Sequence, residues 1–179
     1  MDLSVWTIVA GVVVLFLVAW TAWTLTRLRR LEARVDRART TLETQLRRRA
    51  ALAAELAREG APTLEPGRAA GLARAAAGAS LPWTPDRELA ENVLGRELRG
   101  LLGDLPGTAP SLAADLTGTA QRVVLARRFY NDAVRDTREL RGRRFPRLLR
   151  LHAGRPLPRY FDIDDSYGEV GDHAGHGRP

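Results

Sequence analysis

Three sets of residues in this chain carry side chains at spacings that invite chemistry. The first is C-terminal: Asp162, Asp164, Asp165, Glu169, Asp172, His173 and His176 gather carboxylates and imidazoles, the donors of a metal site. Their D-I-D-D…E-x-x-D-H-x-x-H order fits no closed ligand set. It also lacks the central glycine and the terminal bidentate Glu of a calcium-binding loop. By composition, residues 162–179 are an acidic, His-containing tail expected to be disordered, and no metal or other cofactor is expected. The second set is Asp132 and Asp136, two carboxylates one helical turn apart. Arg128, Arg135 and Arg138 surround them, which suits an exposed helix face laced with ion pairs better than an acid–base pair. The third set is Tyr130 and Asn131. These are open to two readings: a recognition feature, or a structural pair in which Tyr130 lies on an apolar face and Asn131 bonds across helices or to a turn. The structural reading is favoured, because a buried tyrosine keeps a partner for its hydroxyl. No phosphate-cradling glycine loop, H-E-x-x-H or G-x-S-x-G motif occurs. The absence of cysteine removes thiolate ligands and thiol nucleophiles. The chain is expected not to be an enzyme.

Charge offers a different kind of function. All 28 basic residues are Arg, and the formal net charge is +7. Complete exclusion of Lys, with abundant Ala and Gly, reads mainly as GC-rich codon usage, so basicity here points only weakly to a polyanion. No aromatic residues interleave the basic runs as single-strand binders require, and no nucleic-acid partner is expected. The Arg clusters at 27–39 and 141–150 are open to two readings: engagement of an anionic membrane surface, where each Arg near the headgroups contributes about 1 kcal/mol, or ordinary snorkelling and solubility.

The elements that position these residues begin with an anchor. Residues 5–25 read VWTIVAGVVVLFLVAWTAWTL, without charge or proline. At helical rise that stretch spans about 31 Å, the thickness of a bilayer's hydrocarbon core. Trp6 marks one interface; Trp20 and Trp23 mark the other, backed by Arg27, Arg29 and Arg30. Asp2 without a preceding basic residue, and the missing A-x-A-like site, distinguish the segment from a cleaved leader. The positive-inside rule predicts a single-pass protein of the cell membrane, with its N-terminus outside and its helical domain in the cytoplasm.

Helical periodicity continues past the anchor without Gly or Pro to residue 58. Leu28, Leu31, Val35, Ala38 and Leu42 form a heptad stripe, and Leu46, Leu52, Ala53 and Leu56 continue it after a phase shift. Gly60 and Pro62 end this helix. A short, weak helix is expected over 68–79, interrupted by Gly71 and Gly78. Next comes a turn, with Thr84 as N-cap and Pro85 at the first helical position. Leu89, Val93, Leu94, Leu98, Leu101, Leu102 and Leu105 predict an amphipathic helix to about residue 105. A last long helix should run from Ser111 to about Arg144, with Leu112, Leu116, Val123, Tyr130, Val134 and Thr137 on one face and weak points at 117–119 and Gly142. An alternating topology would return its basic end, Arg141 to Arg150, to the neighbourhood of Arg27–Arg34. The expected fold is all-α: a transmembrane helix (residues 1–26) continuous with a long antiparallel helical bundle (27–161), followed by the tail.

Against that frame the C-terminal third resembles a known family. Ala126-Arg127-Arg128-Phe129-Tyr130-Asn131-Asp132-Ala133-Val134 resembles the aR..YN.aV signature of the LemA family. Phe145-Pro146, Gly154 and Tyr160-Phe161 resemble its closing FP…G…yF pattern; Leu46-Arg-Arg-Arg49 with Leu52, and Glu91-Asn92-Val93-Leu94, resemble two upstream elements. Ala54 and Glu55 stand where the family has Pro-Asn, and Thr137-Arg138 where it has a second Tyr-Asn pair. The resemblance spans roughly residues 5–165. It implies a membrane-anchored helical bundle, with Arg127, Tyr130, Asn131, Val134, Phe145, Pro146, Tyr160 and Phe161 as structural signature residues, and it implies no biochemical activity. The function expected is a non-catalytic adaptor or scaffold at the bilayer, with a membrane-associated protein as partner. The alternative is a protein that engages anionic lipid through its Arg clusters. Nothing in the sequence sets an oligomeric state.

Overall fold

The computed structural model describes residues 3–60, 62, 64–102, 110–143 and 156–164. These form four helices: α1 (Leu3–Gly60), α2 (Pro66–Ala79), α3 (Arg87–Leu102) and α4 (Pro110–Gly142). Among the described residues there is no strand. The chain divides into two compact units, one of Met1–Arg37 with Asp132–Arg159, the other of Ala38–Asn131 with Tyr160–Pro179.

In the first unit, α1 opens with an apolar surface that nothing covers. From Val5 through Val18 every large apolar side chain is exposed, and the most apolar window is wholly unburied, in a helix long enough to cross a membrane. The hydroxyls of Thr7, Thr21, Thr24 and Thr26 each donate to a carbonyl three or four residues back, at 2.7–2.9 Å. They therefore need no solvent partner. From Thr24 onward one face turns inward: Thr24, Leu28 and Val35 are buried, as are Ala133, Val134, Thr137 and Leu140 of α4. Polar links give the direction. Glu32 meets Arg141 at 2.5 Å, and Arg34 meets Asp136 at 2.9 Å. Numbers rise on α1 as they fall on α4, so the two segments are antiparallel, and Arg141 and Arg143, the described part of the basic end of α4, lie beside Arg27–Arg34. Arg144, Phe145, Pro146, Arg147 and Arg150 lie outside the described residues.

The second unit has a dense apolar core drawn from all four helices: Ala53 and Leu56 of α1, Leu72 and Ala76 of α2, Leu94 and Leu98 of α3, Leu112 and Leu116 of α4. α2 is poor in helix propensity because Gly71 and Gly78 each cost about 1 kcal/mol relative to Ala. It holds by packing; Ala69, Leu72, Ala75, Ala76 and Ala79 are all buried. Its small side chains let α3 run close and antiparallel. Arg68 donates to the Gly100 carbonyl at 2.6 Å, and a methyl at Gly71 would come within 3.3 Å of the Glu97 carboxylate. α1 stops where the buried Gly60 leaves room for Leu64: a β-carbon there would lie 2.7 Å from Leu64 Cδ1. The Leu64 N–H closes the turn on the Gly60 carbonyl at 2.8 Å.

The structure corrects several sequence expectations. The α1 stripe continues through Leu42, Leu46, Arg49, Ala53 and Leu56, all buried, with the expected phase shift in the consecutive four-residue steps from Ala38 to Leu42 to Leu46. The correction is at Arg49, whose charge disguised a core position; Leu52 is only half-buried. Leu89 is exposed, because Arg87 and Glu91 hold the inward positions on either side of it. α3 begins at Arg87, not at Pro85. The Arg87 N–H bonds back to the Thr84 carbonyl across a turn containing Pro85 and Asp86, and the first helical bond is Ala90 N–H to the Asp86 carbonyl. α3 is described to Leu102 and α4 from Pro110; Leu105 lies between them, outside the described residues. The weak point at 117–119 does not break α4: Thr117 bonds back to the Ala113 carbonyl and Thr119 is buried. The packed chain extends through Ile163, which is buried, past the bundle boundary expected at 161.

Candidate functional site

Two signature residues of α4, Arg127 and Asn131, meet the non-helical segment that follows it. Asn131 is a two-point clamp. Its Nδ2 donates to the Phe161 carbonyl at 2.9 Å, and its Oδ1 accepts the Phe161 N–H at 2.9 Å. In an extended chain the N–H and C=O of one residue point to the same side, so this side-chain amide takes the place of an opposing strand residue. On the other side, the Asp162 N–H donates to Glu88 Oε1 and the Asp164 N–H to Asn92 Oδ1, each at 2.8 Å. Side chains alternate accordingly. Phe161 and Ile163 are buried, whereas Tyr160, Asp162 and Asp164 are exposed.

Aromatic and charged contacts complete this seat. The Trp83 ring lies 4.7 Å from Phe161 and 6.0 Å from Tyr130, both tilted, and the Arg39 guanidinium covers Trp83 at 4.9 Å. Arg127 reaches Asp162 at 3.6 Å, and Arg99 reaches Asp164 at 3.1 Å. Of the residues read in the sequence as possible metal donors, Asp162 and Asp164 thus face guanidinium groups, while Asp165, Glu169, Asp172, His173 and His176 lie outside the described residues. Among the described residues no three metal-ligating side chains converge. Val134 is buried in the first unit; Phe145 and Pro146 lie outside the described residues.

A second polar cluster escaped the sequence reading. Glu91 is fully buried between Arg49 (Nη2 to Oε2, 2.5 Å) and Arg87 (Nε to Oε1, 2.9 Å). Arg87 Nη1 also donates to the Leu81 carbonyl. Arg49 Nε and Arg87 Nη2 are buried without a partner. Two signals pointed here, the i,i+4 spacing of Arg87 and Glu91 and the seam position of Arg49. Neither Trp83 nor Glu88 carried a signal, because each acts on a segment far away in sequence.

At the N-terminal end, Trp6, Trp20 and Trp23 are exposed. Trp20 packs against Phe16 and Trp23 with ring centroids 6.0 and 5.8 Å apart, and Arg27 lies 5.6 Å from the Trp23 ring. Arg29 and Arg30 are exposed one turn further on. Asp136 and Asp132 are tied to Arg34 and Arg135, at 2.9 and 2.7 Å. This is the ion-paired face expected of them, with one partner supplied by α1. The chain matches no protein-family model, and it matches no curated protein.

Proposed function

We propose that this chain is a single-pass membrane protein of LemA type that serves as a non-catalytic adaptor or scaffold for other membrane-associated proteins. One observation carries the reading: α1 is a single helix with an uncovered apolar surface over its first turns and a core-forming stripe over its last. Such a helix belongs to a bilayer at one end and to a folded domain at the other. The LemA assignment rests on the ordered signature residues, whose side chains do local structural work at Tyr130, Asn131 and Phe161. The helical domain also offers a face to a partner. A groove of about 460 Å³ between α2 and α3 is lined by apolar Ala75, Leu89 and Val93 and by charged Arg74, Asp86 and Glu97, among others. The positive-inside rule puts that domain in the cytoplasm and the N-terminus outside.

The test is photocrosslinking in intact cells from a probe at Leu89. The adaptor reading expects a discrete protein adduct; adducts to lipid alone would remove it. Extraction of the chain by alkaline carbonate would remove the anchor.

The second reading, engagement of anionic lipid, draws on exposed Arg29 and Arg30 and on Arg27 stacked at Trp23. It competes with internal pairing, since Arg34 and Arg141 are bound to Asp136 and Glu32. Flotation with anionic and neutral liposomes separates the two readings, and equal flotation disposes of the second.

A further inference from the structure

We propose that the seat formed by Trp83, Glu88, Asn92, Arg127 and Asn131 is a binding site for an extended peptide in which apolar and acidic residues alternate. The chain's own Phe161–Asp164 stretch is its resident occupant. The inference rests on the adaptor reading and gives the partner a chemistry: a segment of the form aromatic-Asp-aliphatic-Asp, taken up in place of the strap.

The chemistry of the seat is on display because it is filled. Four hydrogen bonds reach the strap backbone at Phe161, Asp162 and Asp164, and every one comes from a side chain of α3 or α4. Buried backbone groups pair with other backbone, with side chains or with water. This segment uses half-buried side chains alone, so neither α3 nor α4 loses a main-chain bond when it leaves. Backbone contacts of this kind accept many sequences, and selectivity then comes from alternate side chains, as in other modes of extended-peptide recognition. Here the inward positions are apolar, Phe161 against Trp83 with Ile163 buried two residues on. The outward positions are acidic, facing Arg127 and Arg99. The positive rim and the apolar floor together specify an alternating apolar and acidic ligand.

The experiment uses the full chain in a membrane mimetic, with Phe161→Ala and Ile163→Ala combined to vacate the seat. The probe is a fluorescent peptide of residues 156–164, PLPRYFDID. The proposal expects saturable binding to this variant, roughly tenfold weaker binding once Asn131→Ala is added, and much weaker binding to the unaltered chain, whose own strap competes. Glu88→Gln, which keeps the Oε1 acceptor, should retain affinity. Absence of saturable binding with helicity intact overturns the proposal. So does equal binding by the unaltered chain or of a scrambled peptide, and so does collapse of helicity in the double variant, which would make the strap part of the core. The adaptor reading stands or falls separately, on the crosslinks from Leu89.

Discussion

Each unit of the molecule buries an arginine against a glutamate, and the two pairs sit in opposite settings. In the first unit Arg141 meets Glu32 at 2.5 Å and also donates to the Pro156 carbonyl at 2.9 Å, while Glu32 keeps 16% of its side chain in contact with solvent. Its neighbours are polar: Arg34 with Asp136, and Arg138 with the Pro158 carbonyl. In the second unit Glu91 has no solvent contact, two arginines share it, and two of their nitrogens lack partners beside a core of Leu and Ala. Removing charges from water costs several kcal/mol per ion, and a partly satisfied network recovers less than it costs. The first pair is a part-buried tie between the middle of α1 and the end of α4. The second is an expensive cluster whose return is positional: with Arg49 at a seam position, only one register of α1 places it on Glu91.

Substitutions can break or sharpen this contrast. The largest effect belongs to Glu91→Ala, which strands two buried guanidinium groups and should cost about 3–5 kcal/mol, read as a fall in the thermal midpoint of the detergent-solubilised chain. Glu32→Ala should cost about 2 kcal/mol. Its effect should be local, so hydrogen exchange at residues 132–142 accelerates while residues 87–102 keep their protection. Equal losses for both variants would erase the distinction. Arg34→Ala breaks a pair that is 51% and 42% exposed, and the midpoint should move by less than the equivalent of about 1 kcal/mol. Finally, replacing Arg49, Arg87 and Glu91 together by Met and Leu should leave stability unchanged or higher, at the expense of register. A large loss in that triple variant would mean that the cluster stabilises outright.

How much of this was legible in the sequence follows from the range of each force. The uncharged run over 5–25, the four helices and the α4 face from Leu112 to Thr137 all rest on local periodicity, and the structure has them as expected. Arg49 and Leu89 were misplaced because a charged residue in a seam and a leucine outside one both contradict the pattern used to find seams. Asn131 was read as bonding across helices or to a turn. It binds the strap backbone, a partner thirty residues away that no spacing rule connects to it. Trp83 is the same case: its partners Tyr130, Phe161 and Arg39 come from three distant stretches, and only the fold assembles them.

The two acceptors on α3 have a metric consequence. Glu88 and Asn92 stand one turn apart, a rise of about 6 Å. The amides they receive, at Asp162 and Asp164, are two residues apart, about 6.6 Å of extended chain. One helical turn therefore gauges one dipeptide, and α3 works as a ruler laid beside the strap. Sliding by a single residue would turn Phe161 and Ile163 to water. A slide of two would keep the backbone match with the wrong side chains inward. The ruler therefore reads in steps of two, and the aromatic at Phe161 is what sets its zero.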